Sequence, residues 1–167
     1  MNIQFTITIA GQDHPQLVNQ LAAITHSYGG KWLNSKISRL EHQLVGIIKI
    51  EIPDNEVVQL KEELRHFSAL DIRIVDSKTV EHTQYRKVRF NLESKDRLGI
   101  VRDITGKLDE MGIEVLQMEN HRLAVPEVGE MMFFAELTLN LPTEISLDQL
   151  EESLLLVDDN LRVDGLL

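Results

Sequence analysis

Two short turns carry the residue types in this chain that best suit a small anion. The first turn is Gly11-Gln12-Asp13-His14-Pro15-Gln16 and the second is Ser94-Lys95-Asp96-Arg97-Leu98-Gly99. Each turn precedes an apolar run with helical spacing, so each would present the unpaired N–H groups of a helix start. A carboxylate suits such groups, and a glycine lets it approach the backbone closely. The turns therefore predict a binding site for a free amino acid.

The candidate ligand-binding residues are those of the turns and the first residue of each following helix. They are Asp13, His14, Gln16 and Leu17 in the first case, and Asp96, Arg97, Leu98, Gly99 and Ile100 in the second. An interpretation without a ligand is also open, because aspartates often cap helices and proline favours a first helical turn. Under that interpretation Asp13 and Asp96 are N-caps and Pro15 lies in the first turn of its helix.

A repeat positions these turns. Asp13 returns as Asp96, Gly29 as Gly112, and Arg39-Leu40 as Arg122-Leu123, each after 83 positions. A constant offset over about thirty residues indicates two copies of one domain rather than a short solenoid unit. The chain of 167 residues is therefore predicted to contain two small modules, at residues 1–80 and 84–167.

The apolar pattern of the first module predicts strand, helix, strand, strand, helix, strand. Period-2 runs give strands near residues 3–9, 32–40, 44–52 and 72–75. Helical spacing predicts one helix from Leu17 to Tyr28, ended by Gly29-Gly30. A second helix is predicted to turn Val57, Leu60, Leu64 and Phe67 inward, after a cap at Asp54 or Asn55.

The second module repeats this order with a longer hairpin. Its strands are predicted near residues 88–92, 115–123, 131–141 and 161–163, and its helices around 100–111 and 147–154. In the third strand, one face would hold Met131, Phe133, Ala135, Leu137, Leu139 and Leu141. Matching Ile50 with Leu139 raises the offset to 89, so six extra residues fall within Ala124–Glu130. We expect that hairpin to be longer and more mobile than its counterpart.

Both modules are thus predicted to be α+β, each a ferredoxin-like βαββαβ unit with an antiparallel sheet and helices on one face. Such a unit leaves sheet edges open, which favours pairing between modules or with a second chain in a homodimer. Residues 77–84 join the modules without glycine or proline, and they predict a short link or a strand extension.

Composition excludes several classes of protein. The net charge is −10, and the second half carries most of it, with 9 Lys and Arg against 17 Asp and Glu in residues 84–167. Direct DNA binding is disfavoured, because the sole basic cluster is Arg86-Lys87-Arg89. No apolar run approaches a membrane span, the start lacks a secretory pattern, and cysteine is absent. A cytoplasmic location is expected.

Other chemistry has little support in the sequence. The six histidines, His14, His26, His42, His66, His82 and His121, contain no pair at metal-binding spacing. No Gly-x-Ser-x-Gly or Walker-type loop occurs. Glu62-Glu63 and Glu151-Glu152 fall on predicted helices, where a solvated face is the expected role. We expect no catalysis, no metal and no cofactor.

The second turn resembles a known family. Asp96-Arg97-Leu98-Gly99-Ile100-Val101 is similar to the Asp-Arg-Pro-Gly-hydrophobic-hydrophobic signature that opens the first helix of ACT domains. The βαββαβ order and Gly112 after that helix fit as well. Among tandem ACT proteins, the length and the segment Gly29–Ile37 resemble the glycine cleavage system transcriptional repressor group. The resemblance implies a non-catalytic regulator that senses a small amino acid, binds a protein partner such as a transcriptional activator, or does both.

This sequence departs from the family pattern at several positions. Gln16 stands where the signature has glycine, and Leu98 replaces its proline. Lys31 and Glu114 occupy the position, early in the second strand, where many relatives place an asparagine that meets the ligand. The resemblance therefore adds Lys31 and Glu114 to the candidate residues. It also leaves open an interaction module whose ligand site has degenerated, and if one turn alone binds, the second is favoured because it keeps the glycine.

Overall fold

A computed structural model describes residues 1–76 and 84–165, which form two compact units. All but the last residue of the predicted linker, 77–84, lie outside the described residues.

Each unit has the predicted order of four strands and two α-helices among its described residues. The first contains β1 (Asn2–Gln12), α1 (Leu17–Ser27), β2 (Lys31–Leu40), β3 (Gln43–Pro53), α2 (Val57–Arg65) and β4 (Asp71–Asp76). The second contains β5 (Tyr85–Lys95), α3 (Ile100–Glu110), β6 (Glu114–Val125), β7 (Glu130–Pro142), α4 (Leu147–Leu155) and β8 (Arg162–Asp164). The predicted α+β fold class is confirmed.

The two sheets have the same topology. Their strand orders are β2-β3-β1-β4 and β6-β7-β5-β8, and the described neighbours pair antiparallel. Both second strands shift register one residue past their start, between Trp32 and Asn34 and between Val115 and Gln117. These positions are related by the offset of the repeat, so the irregularity belongs to the shared fold rather than to either sequence.

Each module has its own hydrophobic core between the helices and one face of its sheet. Strand alternation turns Phe5, Ile7 and Ile9 toward Leu21 and Leu60 of the helices, and all five are at most 3% exposed. In the second module the same layer is formed by Val88, Phe90, Leu92, Ile104, Leu108, Phe133, Leu137, Leu139, Leu150 and Leu154. Within residues 1–76 and 84–165, both helices of each module lie on one face of its sheet, and the opposite face carries none.

Some of the predicted helix ends are confirmed and one is not. Gly29 and Gly112 take φ angles of 73° and 69° directly after α1 and α3, as the glycine stops predict. The expected cap of α2 is wrong, because Asp54–Glu56 form a 3-10 turn and no side chain caps α2 within residues 1–76. In contrast, Ser146 and Gln149 form a complete capping box at the start of α4.

The inserted residues lengthen both the strands and the loop of the second hairpin. Two extra pairs, Ala124 with Met131 and Val125 with Glu130, extend β6 and β7 before a turn at residues 126–129. The first module instead turns at Glu41 and His42, both with positive φ. The predicted extra length is confirmed. Met131 lies at this extension, where the face it shares with Phe133 runs past the core, and it is 49% exposed.

Candidate functional site

The two turns have the same backbone geometry although their sequences differ. Gln16 and Gly99 are the N-cap residues of α1 and α3, and both adopt the left-handed conformation, with φ of 74° and 81°. This conformation suits glycine and costs a residue with a Cβ atom about 1 kcal/mol or more. The fold therefore requires a left-handed residue at this point, whether or not the sequence supplies glycine.

Neither helix start is capped by a described side chain. The first helical hydrogen bonds run from Gln20 N–H to Gln16 and from Asp103 N–H to Gly99, so the preceding amides of the first turn have no helical acceptor. A Cβ atom placed on Gly99 would meet only the Arg97 Nη1 atom within 4 Å, at 3.7 Å. The second turn thus presents open backbone N–H groups beside an unobstructed glycine.

The aspartates do not cap the helices, so that interpretation of the sequence is wrong. Asp13 accepts a hydrogen bond from Arg39 Nε at 2.7 Å, and Asp96 accepts one from Arg122 Nε at 2.7 Å. Each arginine is on the second strand of the same module, and the two pairs are related by the repeat offset. Pro15 likewise lies before the N-cap and not in the first helical turn. The pairs tie each turn to its sheet and leave the helix N–H groups free.

The second turn differs from the first in charge, because it contains Arg97. Its guanidinium lies 2.8 Å from Asp103 of α3 and 2.6 Å from Asp158, which follows α4. Hydrogen bonds from Arg97 and from the backbone N–H of Asn160 lower the pKa of Asp158, and the carboxylates raise the pKa of Arg97. In the first turn the equivalent residue is His14, which is exposed and contacts the Pro15 carbonyl oxygen. The second turn alone therefore has a fixed cation beside its glycine.

The remaining turn residues differ in how they could meet a ligand. Leu17 and Ile100 are fully buried in their cores, so each can contribute its backbone alone. Leu98 is 98% exposed and could lie over a ligand bound at Gly99. Gln16 is exposed, and its Cβ occupies the space that Gly99 leaves open.

Lys31 and Glu114 lie away from the turns of their own modules. Each begins the strand whose far end carries Arg39 or Arg122, eight residues later, which is about 26 Å at the usual rise of a strand. Lys31 pairs with Glu51 at 3.4 Å, and Glu114 accepts a hydrogen bond from Asn140 at 3.0 Å. Within one module, the structure does not bring these two residues together with the turn.

Two further observations concern the described residues as a whole. Residues 1–76 and 84–165 contain no group of three or more acidic or histidine side chains arranged to hold a metal ion. No helix among them is long and apolar enough for a membrane span.

Residues 4–75 match the family model of the ACT domain. The first module is an ACT domain. The sequence signature had been most complete in the second turn, yet the family match falls on the first module, where Gln16 replaces the glycine. The resemblance to ACT domains is thus confirmed, and the family match lies in the first module, whose turn departs further from the ACT signature.

Two solved structures share the fold of the whole chain. A protein of unknown function from Galdieria sulphuraria has 17% identity and a TM-score of 0.84, over 100% of this chain and 99% of that one. A protein provisionally identified as a glycine cleavage system transcriptional repressor has 16% identity and a TM-score of 0.72, over 100% and 98%. No curated protein matches the sequence. Both likenesses extend over the second module as well as the first.

Sequence reasoning missed three residues that hold the turns in place. Arg39 and Arg122 fix the geometry that the two turns share, and Asp158 holds Arg97. A signal for the two arginines was present, since Arg39-Leu40 recurs as Arg122-Leu123 at the same offset as the aspartates. Asp158 had no such signal, because it comes from the loop after α4, far along the chain from Arg97.

Proposed function

We propose that this chain is a non-enzymatic regulatory protein whose second turn binds the carboxylate of a small amino acid. The observation that carries the proposal is the start of α3, where Gly99 leaves open space beside helix N–H groups that no described side chain caps. Helix N-termini attract carboxylates through these N–H groups and through the helix dipole. Asp96 does not compete, because Arg122 holds it.

The charges around the second turn also favour this binding mode. Asp103, in the first turn of α3, would repel an anion, but Arg97 pairs with it at 2.8 Å. Asp158 is paired with the same guanidinium. The Nη1 atom of Arg97 faces the position of Gly99 and donates to the Leu98 carbonyl oxygen at 3.1 Å. Arg97 thus offsets the negative charges of Asp103 and Asp158 beside the turn. The helix N–H groups can therefore determine how the turn interacts with a ligand carboxylate.

The first turn is a weaker candidate for physical reasons. Gln16 has the same left-handed backbone conformation as Gly99, so the N–H groups of the two helix starts point in similar directions. The Cβ atom of Gln16, however, leaves less space for a ligand to approach these groups. His14 supplies no fixed cation comparable to Arg97. We propose that the first ACT-like turn serves the fold and that the second takes the ligand.

A regulatory role would be exerted through a protein partner rather than directly on DNA. Of the basic triplet, Arg86 donates to the Ile145 carbonyl oxygen and Arg89 pairs with Glu136, so two of three cations are engaged locally. The net charge of −10 opposes phosphate binding. The likeness to a provisionally identified transcriptional repressor supports a role in transcriptional regulation. We propose that the partner is a transcriptional regulator and that the two proteins meet in the cytoplasm.

Calorimetric titration of the full chain with a panel of amino acids, including glycine and serine, tests the sensor role. We expect binding of at least one small amino acid to the wild-type protein. Gly99→Gln, which gives the second turn the residue of the first, should abolish the heat. The matched variant Gln16→Gly should leave it unchanged. Circular dichroism melting of both variants would establish that the fold is intact.

Two results would contradict the proposal. One is the absence of heat with every amino acid of the panel. The other is binding that survives Gly99→Gln and disappears with a change at Gln16, which would assign the ligand to the first turn.

The second candidate function is a partner-binding module with a degenerate ligand site. It is favoured by Lys31 and Glu114, which replace the asparagine of many relatives and are engaged with Glu51 and Asn140. This function predicts a stable protein partner in a pull-down but no rise in melting temperature with any amino acid. A ligand-dependent rise would exclude it.

A further inference from the structure

The open face of the first sheet, opposite the helices, has two neighbouring rows of side chains that contain no carboxylate. Each row crosses the four strands along paired residues. The first row contains Asn34, Lys49, Thr6 and Val75, and the second contains Lys36, Ile47, Thr8 and Arg73. Three of these eight residues are cations, and three carry hydroxyl or amide groups. We call this surface, defined by the eight residues, the cationic rows.

Glu51 is an acidic residue next to the first row, and other side chains engage it. It lies two residues beyond Lys49 on β3. Lys31 pairs with its carboxylate at 3.4 Å, and the Gln4 amide donates a hydrogen bond to it at 3.3 Å. Glu51 is therefore held away from the charge of Lys49.

Asp71 is an acidic residue next to the second row. It lies opposite Ala10, two residues along β4 from Arg73, which is about 7 Å at the usual rise of a strand. Within residues 1–76 and 84–165 it forms no ion pair, and neither do Lys36, Lys49 and Arg73. A single carboxylate at this distance offsets at most one of the three cations, so the cationic rows keep a positive charge.

A hollow of about 220 Å³ opens within the cationic rows. It is lined by Thr6, Asn34, Ser35, Lys36, Ile47 and Lys49. Lys36 and Lys49 are diagonal neighbours on adjacent strands, whose Cβ atoms are usually about 7 Å apart, so both ammonium groups can reach one group bound between them. In the part of the chain that the structure describes, the Thr6 hydroxyl and the Asn34 amide form no hydrogen bond. Two cations and two polar groups therefore line one hollow.

The shared fold does not require this cluster of cations. In the second module, the positions equivalent to the three cations hold Glu119, Thr138 and Asp164. Glu136 lies beside Glu119 and pairs with Arg89. Charges of both signs are thus mixed on that face, whereas the three cations of the first module lie together and repel one another. A bound anion would relieve this repulsion.

We propose that this hollow binds the phosphate group of a small phosphate monoester. Such a group carries about −1.5 to −2 charges at neutral pH and three strong acceptor oxygens. Lys36 and Lys49 match the charge, and Thr6 and Asn34 can donate hydrogen bonds to the oxygens. Ile47 is 52% exposed and offers an apolar contact for the carbon skeleton of the ester. The site lies in the first module, so the inference goes beyond the proposed amino-acid site of the second turn and does not depend on it.

Charge and size favour a small soluble phosphate over other anions. A carboxylate has one negative charge and would leave one of the two lysines without a partner. A nucleic acid or an anionic membrane presents many phosphates, and the net charge of −10 opposes the approach of such a polyanion. The hollow of about 220 Å³ is of a size for one phosphate group with a short carbon chain.

Calorimetric titration of the full chain at low salt with glycerol 3-phosphate, and separately with inorganic phosphate, tests the site. We expect saturable binding of both, which added sodium chloride weakens. Lys36→Gln with Lys49→Gln should weaken the binding of glycerol 3-phosphate by about tenfold or more. Thr6→Val keeps the charge and removes one donor, so it should weaken binding by about fivefold. The matched control, Lys87→Gln with Lys107→Gln, removes the same charge from the second module and should leave binding unchanged.

Amide chemical shifts locate the bound phosphate, because the helix start at Gly99 also suits an anion. We expect the largest shifts at Thr6, Asn34 and Lys49, and Gly99→Gln should leave the binding of glycerol 3-phosphate unchanged. Melting curves identify any variant that does not fold, and Lys36→Gln alone is the milder replacement for the double variant.

Several results would overturn the proposal. They are the absence of heat with glycerol 3-phosphate, binding that Lys36→Gln with Lys49→Gln leaves intact, and shifts centred on Gly99. Binding of single-stranded RNA or of phosphatidic acid vesicles without binding of glycerol 3-phosphate would also overturn it, because the phosphate would then come from a polymer or a membrane.

Discussion

The first and second turns have one backbone and two sets of side chains. Gln16 and Gly99 begin their helices at φ of 74° and 81°, and each turn is tied to its sheet by an aspartate–arginine pair. What differs is the space at the left-handed residue and the neighbouring side chain, which is His14 in the first turn and the paired guanidinium of Arg97 in the second. The left-handed position and the ion pair are therefore requirements of the fold, whereas Gly99 and Arg97 are additions that could serve a ligand.

The same distinction applies to the open sheet faces. Strand order and register are alike in both modules, so the shared fold does not determine which side chains each open face carries. Yet their residues differ, since Lys36 and Arg73 lie where the second module has Glu119 and Asp164. Positions shared by the two modules therefore reflect the common fold, and positions that differ are free to serve separate roles.

The largest expected effect concerns the cores, where the modules should behave alike. Leu60 and Leu150 are fully buried on α2 and α4, each in the core of its own module. Leu60→Ala and Leu150→Ala should each lower the free energy of unfolding of their module by about 2–5 kcal/mol, through lost burial and a cavity. Amide hydrogen exchange of the two sheets would measure this. A variant that leaves its own sheet unaffected would break the equivalence of the modules.

An intermediate effect is expected where the turns differ. Gly99→Gln should destabilise the second module by about 1 kcal/mol, because a Cβ atom is unfavourable in the left-handed region. Gln16→Gly should stabilise the first module by about 0.5–1 kcal/mol by removing the same strain. Urea unfolding followed separately in each module checks both values. Equal signs for the two variants would show that the turns are not in the same conformation.

The smallest expected effect is a pH dependence that Asp158 gives to the stability of the second module. Arg97 lowers the pKa of Asp158 in the folded state, so the unfolded chain binds the proton first as pH falls. The ion pair therefore stabilises the fold fully above the ordinary aspartate pKa of about 3.9, and this contribution is lost as pH drops through the lowered value. Asp158→Asn should be less stable than wild type at neutral pH, and the gap should narrow in acid.

Asp159→Asn is the matched control for that pH dependence. Asp159 is exposed and forms no ion pair within the described residues. Its substitution should leave the melting temperature close to that of the wild type at each pH. A gap for Asp158→Asn that stays constant from neutral to acid pH would contradict the role assigned to the ion pair.

Most of the fold could be predicted from the sequence. Apolar periodicity depends on residues that are close together in the chain, and the repeat offset relates each element of one module to its counterpart in the other. Alternation from Ile3 to Ile9 and the glycine stops at Gly29 and Gly112 marked the elements that were found. The helix starts were harder to predict. A cap by Asp13 or Asp96 was plausible locally, but arginines on the second strands compete for these carboxylates, and that competition exists only in the folded sheet.

The candidate site was predicted less completely for the same reason. The turns themselves were located correctly, since their residues are contiguous. Lys31 and Glu114 were grouped with them, although antiparallel geometry places these residues at the far ends of the second strands. Asp158 reaches Arg97 from a distant loop, and no periodic pattern could report that contact.

The most direct test of the central claim is an amide chemical-shift map of the full chain titrated with the amino acid that gives the largest calorimetric heat. We predict the largest shifts at the backbone N–H groups of Gly99, Ile100 and Val101, with the amides of Gln16 and Leu17 unmoved. Shifts centred on Gln16 and Leu17, or equal shifts at both turns, would contradict the claim that the second turn alone binds the ligand.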